Sequence, residues 1–174
     1  MRIGRGIAVV LLALSLLRPT PGPVSAARWS WPVPLPHTIV RQYLAPATVY
    51  GAGHRGIDVR ASAGTPVTAP DDGVVVWAGP IVDRGVLAIE HGDGVRSSFE
   101  PVTPRVRTGQ AVHRGEIVAT VASGGGHPAG VLHLGARQGG AYVSPLLLLG
   151  GLQRAVLLPL DPVRSAGAPA GSSR

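Results

Sequence analysis

Three side chains that can bind a metal ion lie in two short segments of the sequence. His54 and Asp58 belong to the segment His-Arg-Gly-Ile-Asp, and His133 lies in Leu-His-Leu far downstream. Because one face of a β-strand repeats every two residues, the offset of four puts His54 and Asp58 on the same face, which Gly56 leaves open. Two imidazoles and a carboxylate form the three-ligand set of a catalytic zinc site, in which water holds the fourth position. We therefore predict that His54, Asp58 and His133 bind zinc.

Two other interpretations of these residues stay open. His54 and Asp58 could form a buried ion pair in a turn, without any metal. A bound metal could also be purely structural, with His127 as its fourth ligand. Structural zinc usually recruits cysteine, however, and the chain has none. The ligand types and their spacing favour a catalytic site.

Short β-strands must position these residues. Apolar runs at 74–78, 86–90, 116–122 and 130–136 are separated by glycine-rich turns, and no segment has a convincing helical pattern. We expect a buried strand over 74–78. We also expect a hairpin in which residues 91–94 form the turn and residues 95–102 the partner strand. Many short strands with short links predict an all-β fold, a sandwich-like stack of mostly antiparallel sheets.

The first residues have the features of an export signal. Arg2 and Arg5 precede an apolar run over residues 7–17, and Val-Ser-Ala at 24–26 is typical of a cleavage site. The apolar run is too short to cross a membrane, which takes about 20 residues. We therefore expect a signal peptide over residues 1–26, a secreted mature protein, and no membrane span once the leader is removed.

Three further segments complete the organisation. Residues 27–36 form a proline-rich arm, in which Trp29 and Trp31 could pack on the domain edge or stack on carbohydrate. Residues 37–150 form one domain, and residues 151–174 a flexible tail rich in Pro, Ala, Gly and Ser. The glycine-rich loop at 123–130 is not a phosphate cradle, because no Gly-Lys-Ser and no helix follow it. We expect a monomer.

Composition limits the partners. The chain has no lysine, and its formal charge of +7 falls to +4 when the leader removes three arginines and no acid. The arginines are scattered and almost no aromatic residues lie among them, which argues against binding to nucleic acid. A mildly cationic exported protein is instead attracted to anionic cell-wall polymers.

The ordered motifs resemble those of the lysostaphin-type zinc metallopeptidases, which cut peptide cross-links in bacterial peptidoglycan. They are Gly-His-Arg-Gly-Ile-Asp at 53–58, Gly-Thr-Pro-Val at 64–67, Asp-Gly-Val at 72–74, Ile-Glu-His-Gly-Asp-Gly at 89–94, Thr-Gly-Gln-Ala-Val at 108–112, Leu-His-Leu at 132–134 and Tyr-Val-Ser-Pro at 142–145. The resemblance implies a groove over the metal and zinc ligands at His54, Asp58 and His133.

The chain departs from that resemblance at two places. The family has one histidine two residues before the last ligand and another in a Tyr-x-His-Leu strand, where this sequence has Val131 and Pro101. Positioned proton transfer usually contributes about 10²- to 10⁴-fold to an enzymatic rate. His127, in the glycine-rich loop, and Glu100, beside the second place, are the two residues that could take over proton transfer.

Two functions follow from these observations. The first is an exported zinc endopeptidase, associated with the cell wall, in which His127 or Glu100 moves the proton. The second is a non-catalytic module that uses the same groove to hold peptidoglycan peptides or to activate a partner cell-wall hydrolase. The motif order favours the first function, whereas the loss of both histidines favours the second.

Overall fold

The computed structural model describes residues 27–48 and 50–150. This part of the chain forms β-strands and two 3₁₀ turns, Gly92–Gly94 and Pro145–Leu147, and none of its helical segments could span a membrane. The predicted signal peptide and C-terminal tail lie outside the described residues. The strands are β1 (Ile39–Arg41), β2 (Gly56–Arg60), β3 (Pro66–Thr68), β4 (Gly73–Ile81), β5 (Arg84–His91), β6 (Val95–Glu100), β7 (Val102–Pro104), β8 (Ala111–Val112), β9 (Ile117–Val121), β10 (Val131–Gln138) and β11 (Ala141–Tyr142).

The strands form two antiparallel sheets, as the short links between them require. The larger sheet has the order β1-β2-β10-β6-β5-β4-β8, with β11 also paired to β10, and the smaller has the order β3-β9-β7. Apolar side chains from both sheets meet in one core. The prediction of an all-β, sandwich-like stack of mostly antiparallel sheets is confirmed.

The larger sheet has one apolar face and one polar face. Alternate residues point inward, so that Ile57 and Val59 of β2 and Leu132 and Leu134 of β10 are completely buried in the core. The residues between them point to the outer face. Asp58 and His133 therefore share the outer face of the sheet, and neighbouring strands place them directly opposite each other.

Residues 74–78 form part of a strand, as predicted, but the prediction that this strand is buried is wrong. These residues lie in β4, where Val75 points into the core but Val74 and Trp77 are each 45% exposed. The reason is that an antiparallel sheet can pack one face on a core and leave the other in solvent. Residues 74–78 are all apolar, so the sequence does not show which of them face the solvent.

The hairpin after residue 86 is confirmed, but its ends differ from the prediction. Strands β5 and β6 pair as expected, with Leu87 opposite Phe99. His91 does not lie in the turn, however, because it is the buried last residue of β5 and the turn is the 3₁₀ segment Gly92–Gly94. Val102, which we expected in the partner strand, belongs to β7 in the smaller sheet.

The proline-rich arm packs into the core at Trp29, Pro32 and Val33, whereas residues 34–36 are exposed. Trp29 is 1% exposed, and its backbone N–H donates to the carbonyl of Leu148, close to the buried Leu146 and Leu149. Carbohydrate stacking by Trp29 is therefore a wrong interpretation, because its indole is not accessible. Trp31 is half-buried and stacks on the ring of His37 at 4.3 Å.

Candidate metal centre

His54 is fixed by hydrogen bonds just before strand β2. Its backbone forms an isolated antiparallel bridge with Leu44, and its ring Nδ1 lies 2.7 Å from the carbonyl oxygen of Gln42. Because a carbonyl can only accept, His54 Nδ1 carries the proton and donates it. The lone pair of His54 therefore lies on Nε2, the nitrogen that points toward Asp58.

The three predicted ligands converge on one point. Asp58 Oδ1 lies 3.0 Å from His54 Nε2 and 2.8 Å from His133 Nδ1, and the two nitrogens are 3.1 Å apart. Strand pairing brings this about, since His133 stands opposite Asp58 across β2 and β10. Folding thus gathers the three side chains into a group that could hold a metal ion, and zinc binding by them stays a prediction.

The chemistry of these atoms fits a divalent cation. A proton on His133 Nδ1 could be shared with the other two atoms, but a divalent ion accepts a lone pair from all three. The site is shielded from solvent, because His54 and Asp58 are buried and His133 is nearly so. The hydrogen bond from the His54 Nδ1–H to a carbonyl is also the outer contact that orients metal-bound histidines.

Asp58 is held in its ionised form. Burial by itself would raise its pKa, but the hydrogen bond from His133 and the charges of both histidines outweigh burial and lower the pKa below its ordinary value. The centre thus offers a carboxylate, the form that binds a metal, across the neutral pH range.

Gly56 has a different role from the one predicted. The outer face beside it is filled rather than open, because the ring of His133 lies directly over it. A Cβ at position 56 would lie 2.7 Å from His133 Nε2 and would collide with the backbone carbonyl of Leu134. Glycine is therefore required at this position so that β10 and the His133 ring can approach β2.

His127 and Glu100 lie next to the metal-binding group but outside it. His127 Nε2 is 3.7 Å from Glu100 Oε1, and the His127 and His133 rings are 5.7 Å apart. Glu100 stands opposite His133 on β6. Burial lowers the pKa of His127, although the charge of Glu100 opposes this effect. His127 is thus a neutral imidazole at neutral pH, with a carboxylate at its edge.

Sequence reasoning missed Arg84, which organises this neighbourhood. Its Nε donates to Glu100 Oε2 at 2.6 Å, and its side chain packs so closely against Gly125 that no Cβ could be accommodated there. Arg84 thereby contacts both Glu100 and the loop that carries His127. Only strand pairing brings these residues together, and no local motif points to Arg84.

Apolar groups occupy the two places where the resemblance implies further histidines. Val131 is buried on the outer face of β10, two residues before His133, and it lines the groove over the site. Pro101 is also buried and directly follows β6. Neither side chain can accept a proton, whereas Glu100 and His127, which lie beside these places, can.

A groove of about 580 Å³ gives access to the centre. It lies over the site, as the resemblance implied. Asp58 and Val131 lie in its wall, the glycine-rich loop with His127 forms another side, and Arg41 and Arg60 reach it from β1 and β2. The two arginines, which the sequence analysis treated only as scattered charge, therefore lie at the candidate site.

The other described histidines lie away from the centre. His113 is exposed and 3.6 Å from Asp72, and His37 contacts the carbonyl of Val33 as well as Trp31. His91 is buried between the carbonyl of Asp72 and the hydroxyl of Ser97.

Comparisons with known proteins give a consistent assignment. The model of Peptidase family M23 matches residues 52–145. An uncharacterised protein of Mycobacterium tuberculosis is 37% identical over 168 residues, which cover 92% of this chain and 65% of that protein. The murein hydrolase activator NlpD of Salmonella typhimurium is 34% identical over 134 residues, covering 75% of this chain and 33% of NlpD. The chain thus spans less than two thirds of either relative.

The fold has a solved counterpart in the catalytic domain of the antimicrobial peptidase lysostaphin from Staphylococcus simulans. That domain superimposes with a TM-score of 0.56 at 24% identity, covering 65% of this chain and 92% of the domain. The family match includes all three candidate metal ligands as well as Glu100 and His127. The chain therefore belongs to peptidase family M23, the lysostaphin-type metallopeptidases that its motifs resemble.

Proposed function

We propose that this protein is an exported zinc endopeptidase that cleaves peptide cross-links of bacterial peptidoglycan. The observation that carries the proposal is the convergence of His54, Asp58 and His133 at a groove that Asp58 lines, with a carboxylate–imidazole pair beside them. Membership of family M23 and similarity to a murein hydrolase activator support a substrate in the cell wall. A substrate there requires export, in agreement with the expected leader.

The protein's own residues supply the proton chemistry in this proposal. Zinc, when bound, contributes Lewis-acid activation of water and of a peptide carbonyl. His127, which is neutral at neutral pH, accepts the proton that the attacking water loses and later delivers it to the leaving amine. Glu100 stabilises the resulting imidazolium, and Arg84 holds Glu100 in place. This arrangement takes over the role of the histidines replaced by Val131 and Pro101.

A second function is favoured by a specific observation. Val131 presents an apolar surface at the site, and one of the relatives is named as an activator of murein hydrolases. A non-catalytic module would use the same groove to hold wall peptides or to activate a separate hydrolase. It would bind peptidoglycan without breaking any bond.

One experiment separates the two functions. The protein, with and without zinc, is incubated with purified peptidoglycan sacculi, and soluble fragments are analysed by mass spectrometry beside Asp58→Ala. Asp72→Ala is the matched control, because Asp72 is an exposed aspartate that does not line the groove. An endopeptidase releases zinc-dependent fragments that carry new amino termini, and Asp58→Ala abolishes them while Asp72→Ala does not.

The other outcomes are equally specific. If the protein sediments with sacculi but releases no fragments at any pH tested, the endopeptidase proposal is wrong and the binding module is supported. Loss of sedimentation in Asp58→Ala would then assign the binding to this groove. If the protein neither cleaves nor binds sacculi, both proposals are wrong.

A further inference from the structure

Two arginines lie on the same face of the larger sheet as the metal-binding group. Arg41 on β1 stands opposite Asp58 on β2, because the strand register shifts between Ile39 and Arg41, and Arg60 follows Asp58 by two residues on the same strand. Residues opposite each other across an antiparallel pair share a face, as do residues two apart along a strand. Both guanidinium groups are exposed, and both line the groove that contains Asp58 and His127.

These arginines differ from others in their partners. Arg84 is bound to Glu100, Arg96 to Glu90 and Arg114 to Asp71. No side-chain hydrogen bond or ion pair links Arg41 or Arg60 to any other residue between 27 and 150 that the structure describes. The positive charge at this end of the groove is therefore available to a ligand.

No acidic group in the groove is free to neutralise that charge. Asp58 is the one acidic residue among the described residues that line the groove, and it is already engaged by His54 and His133. The remaining wall contains Val40, Pro128 and Val131. The groove thus combines apolar walls with two cationic groups, which suits a peptide that carries a carboxylate better than a polyphosphate chain.

We propose that Arg41 and Arg60 bind a free carboxylate of the peptide substrate, and that this contact makes the groove selective for acidic wall peptides over their amidated counterparts. The inference rests on the proposed function, because it assumes that the groove receives wall peptides. A guanidinium group matches a carboxylate with two parallel N–H donors, and a neutral amide cannot accept both bonds with the same strength. The partly enclosed groove strengthens this contact relative to bulk water.

The test uses two synthetic cross-linked peptide dimers that differ in one feature. One dimer carries its free carboxylates, and the other carries carboxamides at the same positions. The ratio of kcat/KM for the two dimers is measured for the natural protein, for Arg41→Gln, for Arg60→Gln and for the double variant. Arg105→Gln is the matched control, because Arg105 is an exposed arginine outside the groove.

The expected ratio favours the acidic dimer by about tenfold in the natural protein and in Arg105→Gln. It falls to about one in the double variant and takes intermediate values in the single variants. Raising the salt concentration from about 0.05 to about 0.5 M should reduce the ratio in the natural protein, because salt screens exposed charges. Equal ratios in the natural protein and the double variant would overturn the proposal.

Failure of this inference is distinguishable from failure of the proposed function. If neither dimer is cleaved, the ratio of the dissociation constants of the two dimers is measured by calorimetry for the same variants. A tenfold preference that the double variant loses then supports the arginine contact even though the protein is no peptidase. If binding is strongest to poly(glycerol phosphate) and the dimers do not compete with it, the ligand class is wrong.

Discussion

His91 and His54 are both buried, but they differ in the side chain that faces the ring Nε2. The His91 ring donates from Nδ1 to the Asp72 carbonyl and accepts at Nε2 from the Ser97 hydroxyl, so both nitrogens are satisfied. His54 also donates from Nδ1 to a carbonyl, but its Nε2 lone pair points at the Asp58 carboxylate. With similar burial, His91 therefore has a hydrogen-bond partner on each ring nitrogen, whereas His54 belongs to a candidate cation site.

This comparison shows that the partners of a histidine, rather than its burial, indicate function. Ser97 can act as donor or acceptor, so it adjusts to the ring it faces. Asp58 is an ionised carboxylate that only accepts, and either a proton on His133 Nδ1 or a divalent cation can lie among the lone pairs gathered around it. Variants at the two sites can therefore test this difference.

Removing the side chain that faces the histidine Nε2 should have different effects at the two sites. Asp58→Ala should weaken zinc binding more than about 100-fold, because it deletes one of three ligands. Ser97→Ala should leave zinc binding unchanged and lower the free energy of unfolding by about 1 kcal/mol, since it removes one hydrogen bond to His91. Metal analysis after dialysis and thermal unfolding measure the two effects. Equal zinc content in both variants would mean that the group at Asp58 is not a metal site.

Two glutamates allow a test of the carboxylate beside the centre. Glu100 and Glu90 each accept a hydrogen bond of 2.6 Å from an arginine, but Glu100 is also close to His127. Glu100→Gln should reduce peptidoglycan cleavage about 100-fold with zinc retained, because glutamine cannot stabilise an imidazolium charge. Glu90→Gln should change the rate less than about twofold. A fall of similar size in both variants would indicate a general structural effect.

The absence of a side chain at Gly56 lets β10 and the His133 ring lie close to β2. Gly56→Ala should lower the free energy of unfolding by about 1–3 kcal/mol and weaken zinc binding, because the new Cβ would force the His133 ring and β10 away from β2. Gly79→Ala is a suitable control, since it lies in β4 with no atom near its Cβ position. Chemical denaturation and zinc titration of the two variants provide the measurement. Unchanged zinc affinity in Gly56→Ala would contradict the close approach at His133.

The smallest expected effect is the dependence of stability on pH that His91 causes. Burial lowers the pKa of His91 below its ordinary value of 6.5, so the unfolded chain binds the proton more tightly than the folded chain. This contribution to stability is complete above pH 6.5 and is lost as the pH falls below it. The melting temperature of the zinc-free protein should therefore decrease between about pH 7 and pH 5.

His91→Gln should make that decrease smaller. His127 contributes in the same direction, because burial lowers its pKa too, so part of the decrease should remain. Asp58 should not contribute in this range, since its lowered pKa affects stability only near and below its ordinary value of 3.8. An identical pH profile for the variant and the natural protein would contradict the buried, neutral state assigned to His91.

Much of the fold could be predicted from local patterns. Glycine and Asp-Gly signals between apolar runs located β5, β6, β9 and β10, although their ends differ by a few residues. The predictions of burial were wrong where solvent exposure does not follow from residue type. Val74 and Trp77 are apolar yet exposed, and Trp29 belongs to a proline-rich arm yet is buried. No local pattern records which face of a strand the rest of the protein covers.

The candidate site also contains residues that the sequence identified and residues that it did not. Residue types and motif order were enough to select His54, Asp58 and His133, because few side chains can bind zinc and their spacing is restrictive. His127 and Glu100 could be named only as separate possibilities, since 26 intervening residues hide their contact. Arg84, Arg41 and Arg60 had no signal at all, because their positions depend on which strands become neighbours.

The sequence by itself determined the β-rich class, the order of the motifs and the kinds of atom available to a metal. Local chemistry is sufficient for these, since strand and turn preferences and ligand types are properties of individual residues. Only the tertiary structure decided that Asp58, His133 and Glu100 form one row across three strands, with Arg41 beside them on a fourth. Strand register sets that row, and it depends on how the whole chain buries its apolar face.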